Sequence, residues 1–498
     1  MRTLTTDELA ALGDRFGVDV DEAELDTLRE MVNENLATLD AVDDVPLDGH
    51  DDGGKARTWE RATDDPYNAI ATRCHVPPTA DAGDSLAGAT VGLKDTIAVA
   101  GVPMECASAV MRGYVPGRDA TVVSRLREAG ATITAKTNLD EFASSARGTT
   151  GADGPVRNPV DPERTAGGSS GGSAVAVATD EVDVTLGTDT GGSTRIPASF
   201  CGVVGVKPTW GLVPGRGVVE NTYTQDHVGP MTSTVADAAR VLEAVAGPDE
   251  GDPASLQAAG REQYRVGGYV DAAVDPPALA DLTLGVLDEG FGEGVTDRVV
   301  TSVEGAVATL EDTGATTERV SVDYFHAGPA IKNLLSFTEL AAHWRAGGAP
   351  YRRGGGVDEG YQAALAARSA AKSGELGQFY KSKLLAGARI IEAHDGVPYT
   401  RAQAAREVYR EAFEAALADV DALVTPTMPD VAPRIADAAD PGFDYIRNTL
   451  AADVTRLPAI SLPGLSADGL PVGVQLMGEA FADADLFGVA AAVAPHLD

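Results

Sequence analysis

Two glycine-serine knots lie close together in the chain, Gly167 to Ser173 (GGSSGGS) and Asp189 to Thr194 (DTGGST). Glycines beside a serine let the backbone reach positive φ and approach a ligand closely. A run such as Thr190, Gly191 and Gly192 can aim several backbone N–H donors at one point, which is how an oxyanion is held. Ser193 at such a point could be a nucleophile, but a serine hydroxyl is a poor one until a base takes its proton. Lys94 lies in an apolar run, Ala89 to Ala100, that reads as a strand with the lysine in its interior. A lysine with its usual pKa of about 10.4 is charged and cannot accept that proton; burial disfavours the ammonium and can lower the value by up to about 3–5 units.

Each feature also has a plainer reading. Glycine and serine are the commonest loop residues, so one knot alone reads equally well as a turn. Lys94 could pair with its neighbour Asp95 on a solvent face. A phosphate loop is disfavoured because no Gly-Lys-Ser/Thr follows, and the glycine spacing makes no dinucleotide fingerprint. The G-x-S-x-G elbow is matched twice, at Gly167, Ser169, Gly171 and at Gly168, Ser170, Gly172. That elbow must follow a strand, whereas Pro159 and Pro162 interrupt the preceding segment.

Taken together, Gly167 to Ser173, Asp189 to Ala198 (DTGGSTRIPA) and Lys94 within Val-Gly-Leu-Lys-Asp resemble the amidase signature family. Lys94 and Ser169 stand 75 positions apart and Ser169 and Ser193 stand 24 apart, as the family pattern expects. The resemblance implies Ser193 as nucleophile, Ser169 as the bridging serine preceded by a cis peptide bond from Gly168, and Lys94 as base. It implies an oxyanion hole from the amides of Thr190, Gly191, Gly192 and Ser193, and needs no cofactor and no metal. It also implies an α/β amidase-signature fold: a central twisted mixed sheet with helices on both faces, here with a helical N-terminal extension.

Asp226 to Met231 (DHVGPM) and the helical amino terminus look most like the nitrile-pathway amidases. That likeness implies hydrolysis of small aliphatic or arylaliphatic carboxamides to acid and ammonia through an acyl-enzyme. The first alternative is the glutaminase (A-type) subunit of a tRNA-dependent amidotransferase, whose knots look similar and which would need a partner and an ammonia tunnel. A catalytically silent binding protein on the same fold is the second. Thr190 and Thr194 depart from the pattern; Thr190 stands where the nitrile-pathway enzymes usually have glutamine.

The elements that must position these residues can be read around them. Residues 1 to about 42 are helical, with Thr6 as a cap and Leu25, Leu28, Val32, Leu36 and Leu39 lining one face of a second helix. This segment packs on the body or forms a homodimer contact. Asp43 to Lys55, rich in Asp, Gly and Pro, is the linker. The division expected is therefore 1–64 for the helical segment with its linker and 65–498 for the catalytic domain. From about Tyr67 helices and strands alternate: a helix over Asp119 to Ala129, a strand over Ala131 to Lys136, strands at Val182 to Leu186 and Leu282 to Leu287, and helices at Thr234 to Ala246 and through Val299 to Leu310. Residues 250 to 280 read as loop. Asp323 to Lys383 carries no motif; its aromatics, Tyr324, Phe325, Phe337, Trp344 and Tyr361, read as core before pocket. His227 is a candidate base that the lysine-serine relay makes unnecessary.

The chain of 498 residues carries a net charge of −36, and only eight of its 39 basic residues are lysine. Such a surface repels polyanions, so nucleic acid and anionic membranes are expected to be excluded as partners and a small amide is the expected ligand. Acid excess with scarce lysine resembles proteins of salt-accumulating organisms. Three cysteines at unrelated spacing, no apolar leader in MRTLTTDELAAL and no long apolar run point to the cytoplasm.

Overall fold

The computed structural model describes residues 3–37, 39, 57–349 and 358–497. The chain divides into two compact units, Met1–Asp51 and Asp52–Asp498.

In the first unit, α1 (Thr6–Phe16) starts from a capping box. Thr5 is the cap, rather than the expected Thr6: its side chain accepts from the Glu8 amide and the Glu8 carboxylate accepts from the Thr5 amide. Gly17 ends the helix in the left-handed region, φ 67°. The second helix, α2 (Leu25–Ala37), stops short of Leu39, and Asn33 on it exchanges two hydrogen bonds with the Leu4 backbone. The expected linker, Asp43 to Lys55, lies outside the described residues.

The second unit is built on one twelve-stranded mixed sheet. Its strands are β1 (Thr58–Arg61), β2 (Ile70–Val76), β3 (Thr90–Lys94), β4 (Thr132–Thr137), β5 (Val184–Asp189), β6 (Val204–Lys207), β7 (His227–Thr232), β8 (Thr283–Leu287), β9 (Thr316–Val320), β10 (Ala422–Pro426), β11 (Ala459–Ala467) and β12 (Leu470–Met477). Their order is β1-β2-β4-β3-β5-β7-β6-β11-β12-β10-β8-β9. Pairs β3–β4, β3–β5, β8–β9 and β8–β10 are parallel and the others antiparallel. Because β1 pairs with β2 from Thr58 to Arg61, the sheet begins before residue 65.

The strands alternate their side chains between two faces. Val91 and Leu93 of β3 and Val184 and Leu186 of β5 join one core with Val122 of α3 (Thr121–Glu128) and Leu242 of α6 (Val235–Val245). The other face carries α4 (Gly171–Ala178) and α5 (Arg195–Cys201), whose Val175 and Ala198 pack with Ala135 of β4. The stretch expected to be loop holds α7 (Pro253–Ala259), between the caps Asp252 and Gly260, and α8 (Tyr269–Val274), between the caps Gly268 and Asp275, each only about two turns long. Next comes α9 (Asp297–Thr313), which adds Val299, Val303 and Leu310 to the first core as the apolar spacing predicts.

The motif-free region is helical: α10 (Gly328–Arg345), α11 (Glu359–Lys372) and α12 (Gln378–His394), followed by α13 (Val397–Leu417), α14 (Leu450–Thr455) and α15 (Asp483–Val493). Leu335 of α10 and Phe413 of α13 share a core with Phe325. Trp344 and Tyr361 pack against a cluster around Phe142 and Tyr380, whereas Tyr324 is exposed. Among the described residues no helix is long and apolar enough to cross a membrane.

Candidate active site

Lys94 is the last residue of β3, and the parallel strands β4, β3 and β5 end together around it. Ligands of open sheets gather beyond such strand ends. The first knot runs into the N-terminus of α4, and the second lies between β5 and α5. The peptide bond between Gly168 and Ser169 is cis. A bond from the Ser170 amide to the Ser193 carbonyl, 3.1 Å, ties the knots together.

Lys94 is completely buried. Its Nζ lies 2.7 Å from Ser169 Oγ and 2.7 Å from Thr188 Oγ1, with Thr188 O at 3.4 Å. Asp95, its neighbour in sequence, turns away to Lys136 at 2.8 Å and accepts from the Glu105 and Cys106 amides. Lys94 therefore has hydroxyl partners and no carboxylate partner. Burial lowers its pKa to about 7, against the upward pull of Asp189, Asp140 and Asp226. A free amine at neutral pH can accept a proton from Ser169, which the ammonium cannot.

Asp140 braces the first knot. Its carboxylate accepts from the amides of Gly148 and Thr150 and from the Thr150 hydroxyl, while its own amide donates to Ser169 O. A Cβ on Gly168 would collide with Asp140 Oδ2, so only glycine fits at that position.

The second knot hangs on Asp189. Arg195 Nε and Nη2 reach its two oxygens at 3.0 and 3.1 Å, and Nη2 also holds Asp453 at 2.8 Å. Arg195 Nη1 donates to Thr449 O and to Gln475 Oε1. Burial alone would raise the Asp189 pKa, yet Arg195 holds it well below the carboxylate range; burial and the adjacent Asp189 push Asp453 far upward. One guanidinium is thus shared between two buried acids.

Gly192 departs from the expected oxyanion set. At φ 122° its amide points at Asp189 Oδ1, 2.5 Å away, and a Cβ there would collide with Thr449 Oγ1. Among the described residues the amides of Thr190, Gly191 and Ser193 have no internal acceptor. Those three are the donors left to face a ligand. Thr190 uses its hydroxyl on Asp226 at 2.6 Å. Thr194 Oγ1 is buried without a partner.

Ser193 is 7% exposed, against 0% for Ser169 and Lys94, so the order of access from outside is Ser193 first. His227 is held between Asp189 O at 3.1 Å and Lys207 Nζ at 3.3 Å. Burial and Lys207 push its pKa well down. Sequence reasoning missed Thr188, the second hydroxyl on Lys94, and the Asp189–Arg195–Asp453 clamp. Asp189 and Arg195 stood inside the second motif, but Asp453 and Gln475 lie more than 250 positions away and carry no local signal. Among the described residues no cluster of His, Cys, Asp and Glu could hold a metal ion.

The chain is 40% identical over 432 residues to the A-type component of the glutamyl-tRNA(Gln) amidotransferase of Halobacterium salinarum, covering 86% of this chain and 99% of that one. Its fold is similar to the crystal structure of the corresponding glutamyl-tRNA(Gln) amidotransferase component from Thermotoga maritima, with 34% identity and TM-score 0.68, over 82% of this chain and 84% of that one. It is similar too to native peptide amidase from Stenotrophomonas maltophilia, with 35% identity and TM-score 0.69, over 82% of each chain.

These likenesses overturn two expectations. The free-standing amidase for small aliphatic or arylaliphatic carboxamides gives way, and with it the nitrile-pathway subtype, because relatives matched over nearly their whole length carry a different activity in their name. The residues that suggested that subtype are scaffold: His227–Thr232 is β7, and Asp226 accepts from Asn221, Thr222 and Thr190. The exclusion of nucleic acid also falls, since these relatives are named for a tRNA. Net charge reports the average field and not one face, and at 1 M salt that field is screened within about 3 Å. A family model described as Amidase matches residues 68–487, and on that match and these relatives the chain belongs to the amidase signature family of amidohydrolases.

Proposed function

We propose that this chain is the glutaminase (A-type) subunit of a tRNA-dependent amidotransferase. The observation that carries the reading is the 40% identity to the Halobacterium salinarum protein over 99% of its length. The site supplies chemistry that suits it. Ser193 attacks the carboxamide carbon of glutamine while its proton passes to Ser169 and on to Lys94, which burial keeps ready as a free amine. The amides of Thr190, Gly191 and Ser193 receive the developing oxyanion. The relay then returns the proton to the leaving nitrogen, ammonia departs toward a partner protein, and water cleaves the glutamyl ester on Ser193 by the same route.

The acyl transfer lies within the unit that holds the twelve-stranded sheet, with helices α1 and α2 as an accessory segment, and the protein works in the cytoplasm at high salt. Ammonia release from glutamine by the full-length chain in molar KCl, alone and with a copurified partner, tests the reading. Glutamine turnover that disappears in Ser193→Ala supports it. Turnover of peptide C-terminal amides with glutamine untouched refutes it.

A further inference from the structure

The far end of the loop that holds the oxyanion is fixed through its backbone. The Gly192 and Thr194 amides donate to Asp189, and Gly191 O accepts from Thr449 Oγ1 at 2.7 Å. The near end, Thr190, is fixed through its side chain, whose hydroxyl donates to Asp226 Oδ1. Thr190 and Asp226 stand one step beyond the last pair of the β5–β7 ladder, Asp189 opposite His227. The contact therefore prolongs the pairing past the point where the strands end. A β-branched side chain has few rotamers, and rotamer and backbone angles are coupled, so holding the hydroxyl restricts where the Thr190 amide points.

Asp226 also organises a second loop. Its oxygens accept from the Asn221 amide at 2.8 Å and the Thr222 amide at 2.9 Å, which closes residues 221–226 into a turn. That turn is tied to α10, where Ser336 donates to Gln225 Oε1 and Glu339 accepts from the Thr224 amide and hydroxyl. Asn221 Nδ2 donates to Ala143 O, three residues after Asp140, which braces the first knot. Burial lifts the Asp226 carboxyl to about 6; the bonds from Thr190, Asn221 and Thr222 oppose that rise and Glu220 adds to it. At neutral pH the group is then a carboxylate, which only accepts, and three donors meet it.

We infer that Asp226 is a positioning residue for the acyl transfer: it touches no reacting atom and acts through Thr190, aiming the first amide of the oxyanion hole at the point where charge develops. The inference deepens the proposed function at the same site. It rests on Ser193 as nucleophile and not on which amide is cleaved.

Losing an oxyanion donor outright costs about 100-fold or more in rate, so a donor that stays but loses its aim should cost about 10- to 100-fold. The charge it meets is greatest in the transition state, so the loss should fall on kcat and leave KM within about twofold. Three single variants of the full-length chain in molar KCl test this. Thr190→Val removes the hydroxyl at nearly constant shape, Thr190→Ser keeps it, and Asp226→Asn keeps the shape but turns one acceptor toward donors as a donor. Ammonia release from glutamine and from a peptide C-terminal amide gives kcat and KM. Capture of Ser193 by a fluorophosphonate gives a rate that needs no amide: the serine oxygen bonds to phosphorus, the P–F bond breaks, fluoride leaves and the serine proton enters the relay. The phosphoryl oxygen then lies where the oxyanion would.

The expected result is that Thr190→Val and Asp226→Asn each lose about 10- to 100-fold in kcat and in capture rate, at an unchanged denaturant midpoint for Thr190→Val. Thr190→Ser should stay within about threefold of the parent, and the double variant should lose little more than the worse single one, because both act through one contact. Parent-like capture and turnover in Thr190→Val overturn the inference even if glutamine is a substrate. Losses that multiply in the double variant, that appear in KM alone, or that Thr190→Ser fails to recover also overturn it. A parent chain that takes no label overturns it together with Ser193 as nucleophile. Capture rates that follow the expected pattern while glutamine is refused uphold the inference and refute the glutaminase reading.

Discussion

Lys94 and Arg195 are both completely buried cationic side chains within one site, and their surroundings oppose each other. Lys94 meets two hydroxyls and a carbonyl. Arg195 meets two carboxylates, a carbonyl and a carboxamide. Burial lowers the lysine pKa to about 7, whereas Asp189 and Asp453 outweigh burial and hold arginine firmly charged. Equal desolvation thus yields a proton acceptor in one corner and a permanent ionic clamp in the other. The difference lies in the partners: a group meant to change charge is denied a counter-ion, and a group meant to hold a loop is given two.

The sharpest way to break this comparison is through activity. Ser193→Ala should lower kcat on the best amide by about 10⁴- to 10⁶-fold, and Lys94→Ala should approach the same loss, since members of one relay fail together. Ammonia release measures both. Comparable turnover in the two variants and the parent would remove any catalytic meaning from the Lys94 corner.

Stability should separate the two cations next. Arg195→Met strands two buried acids and should cost about 3–5 kcal/mol, read as a lower denaturant midpoint at constant slope. Lys94→Met should fold as well as the parent or better at neutral pH. The sign follows from linkage: with folded and unfolded pKa values of about 7 and 10.5, the unfolded chain binds one more proton between them, so parent stability rises with pH across that window. The advantage of Lys94→Met should therefore be largest at and below pH 7 and fade toward pH 10.5. A difference that does not vary with pH would mean that Lys94 stays charged when folded.

The same value predicts an acid limb in kcat/KM, with activity rising as pH passes about 7. A limb set more than two units away would assign the base elsewhere. The smallest effect belongs to an exposed contrast. Arg298, about two-fifths exposed, pairs with Asp430 and Asp468. Arg298→Gln should cost less than about 1 kcal/mol, and that cost should shrink in molar KCl, whereas the cost of Arg195→Met should hardly change.

Much of this was written locally. The strands at β3, β4, β5 and β8 and the helices α3, α6 and α9 follow from apolar periodicity, within three residues at each end except at Lys94, which ends its strand instead of standing inside it. That shift matters physically, because the strand end is where the knots gather. The short helices α7 and α8 escaped because six or seven residues between Asp, Gly and Pro are too few to show a helical period. Helices α10 to α12 carry no motif, so only the core role of their aromatics was legible, as Trp344 and Tyr361 show.

What sequence alone determined is the set of candidate site residues: two serines and a lysine at a spacing shared with one family, embedded in glycine runs that permit close backbone approach. Those properties are local, since a glycine's freedom and a serine's hydroxyl travel with the residue. Tertiary structure alone decided which charges meet. Asp95 turns from Lys94 to Lys136, Asp189 takes the Gly192 amide out of the donor set, and Asp453, distant in sequence, shares Arg195. Whether a buried cation becomes a base or a clamp depends on its desolvation and its neighbours, and both exist only once the chain has folded.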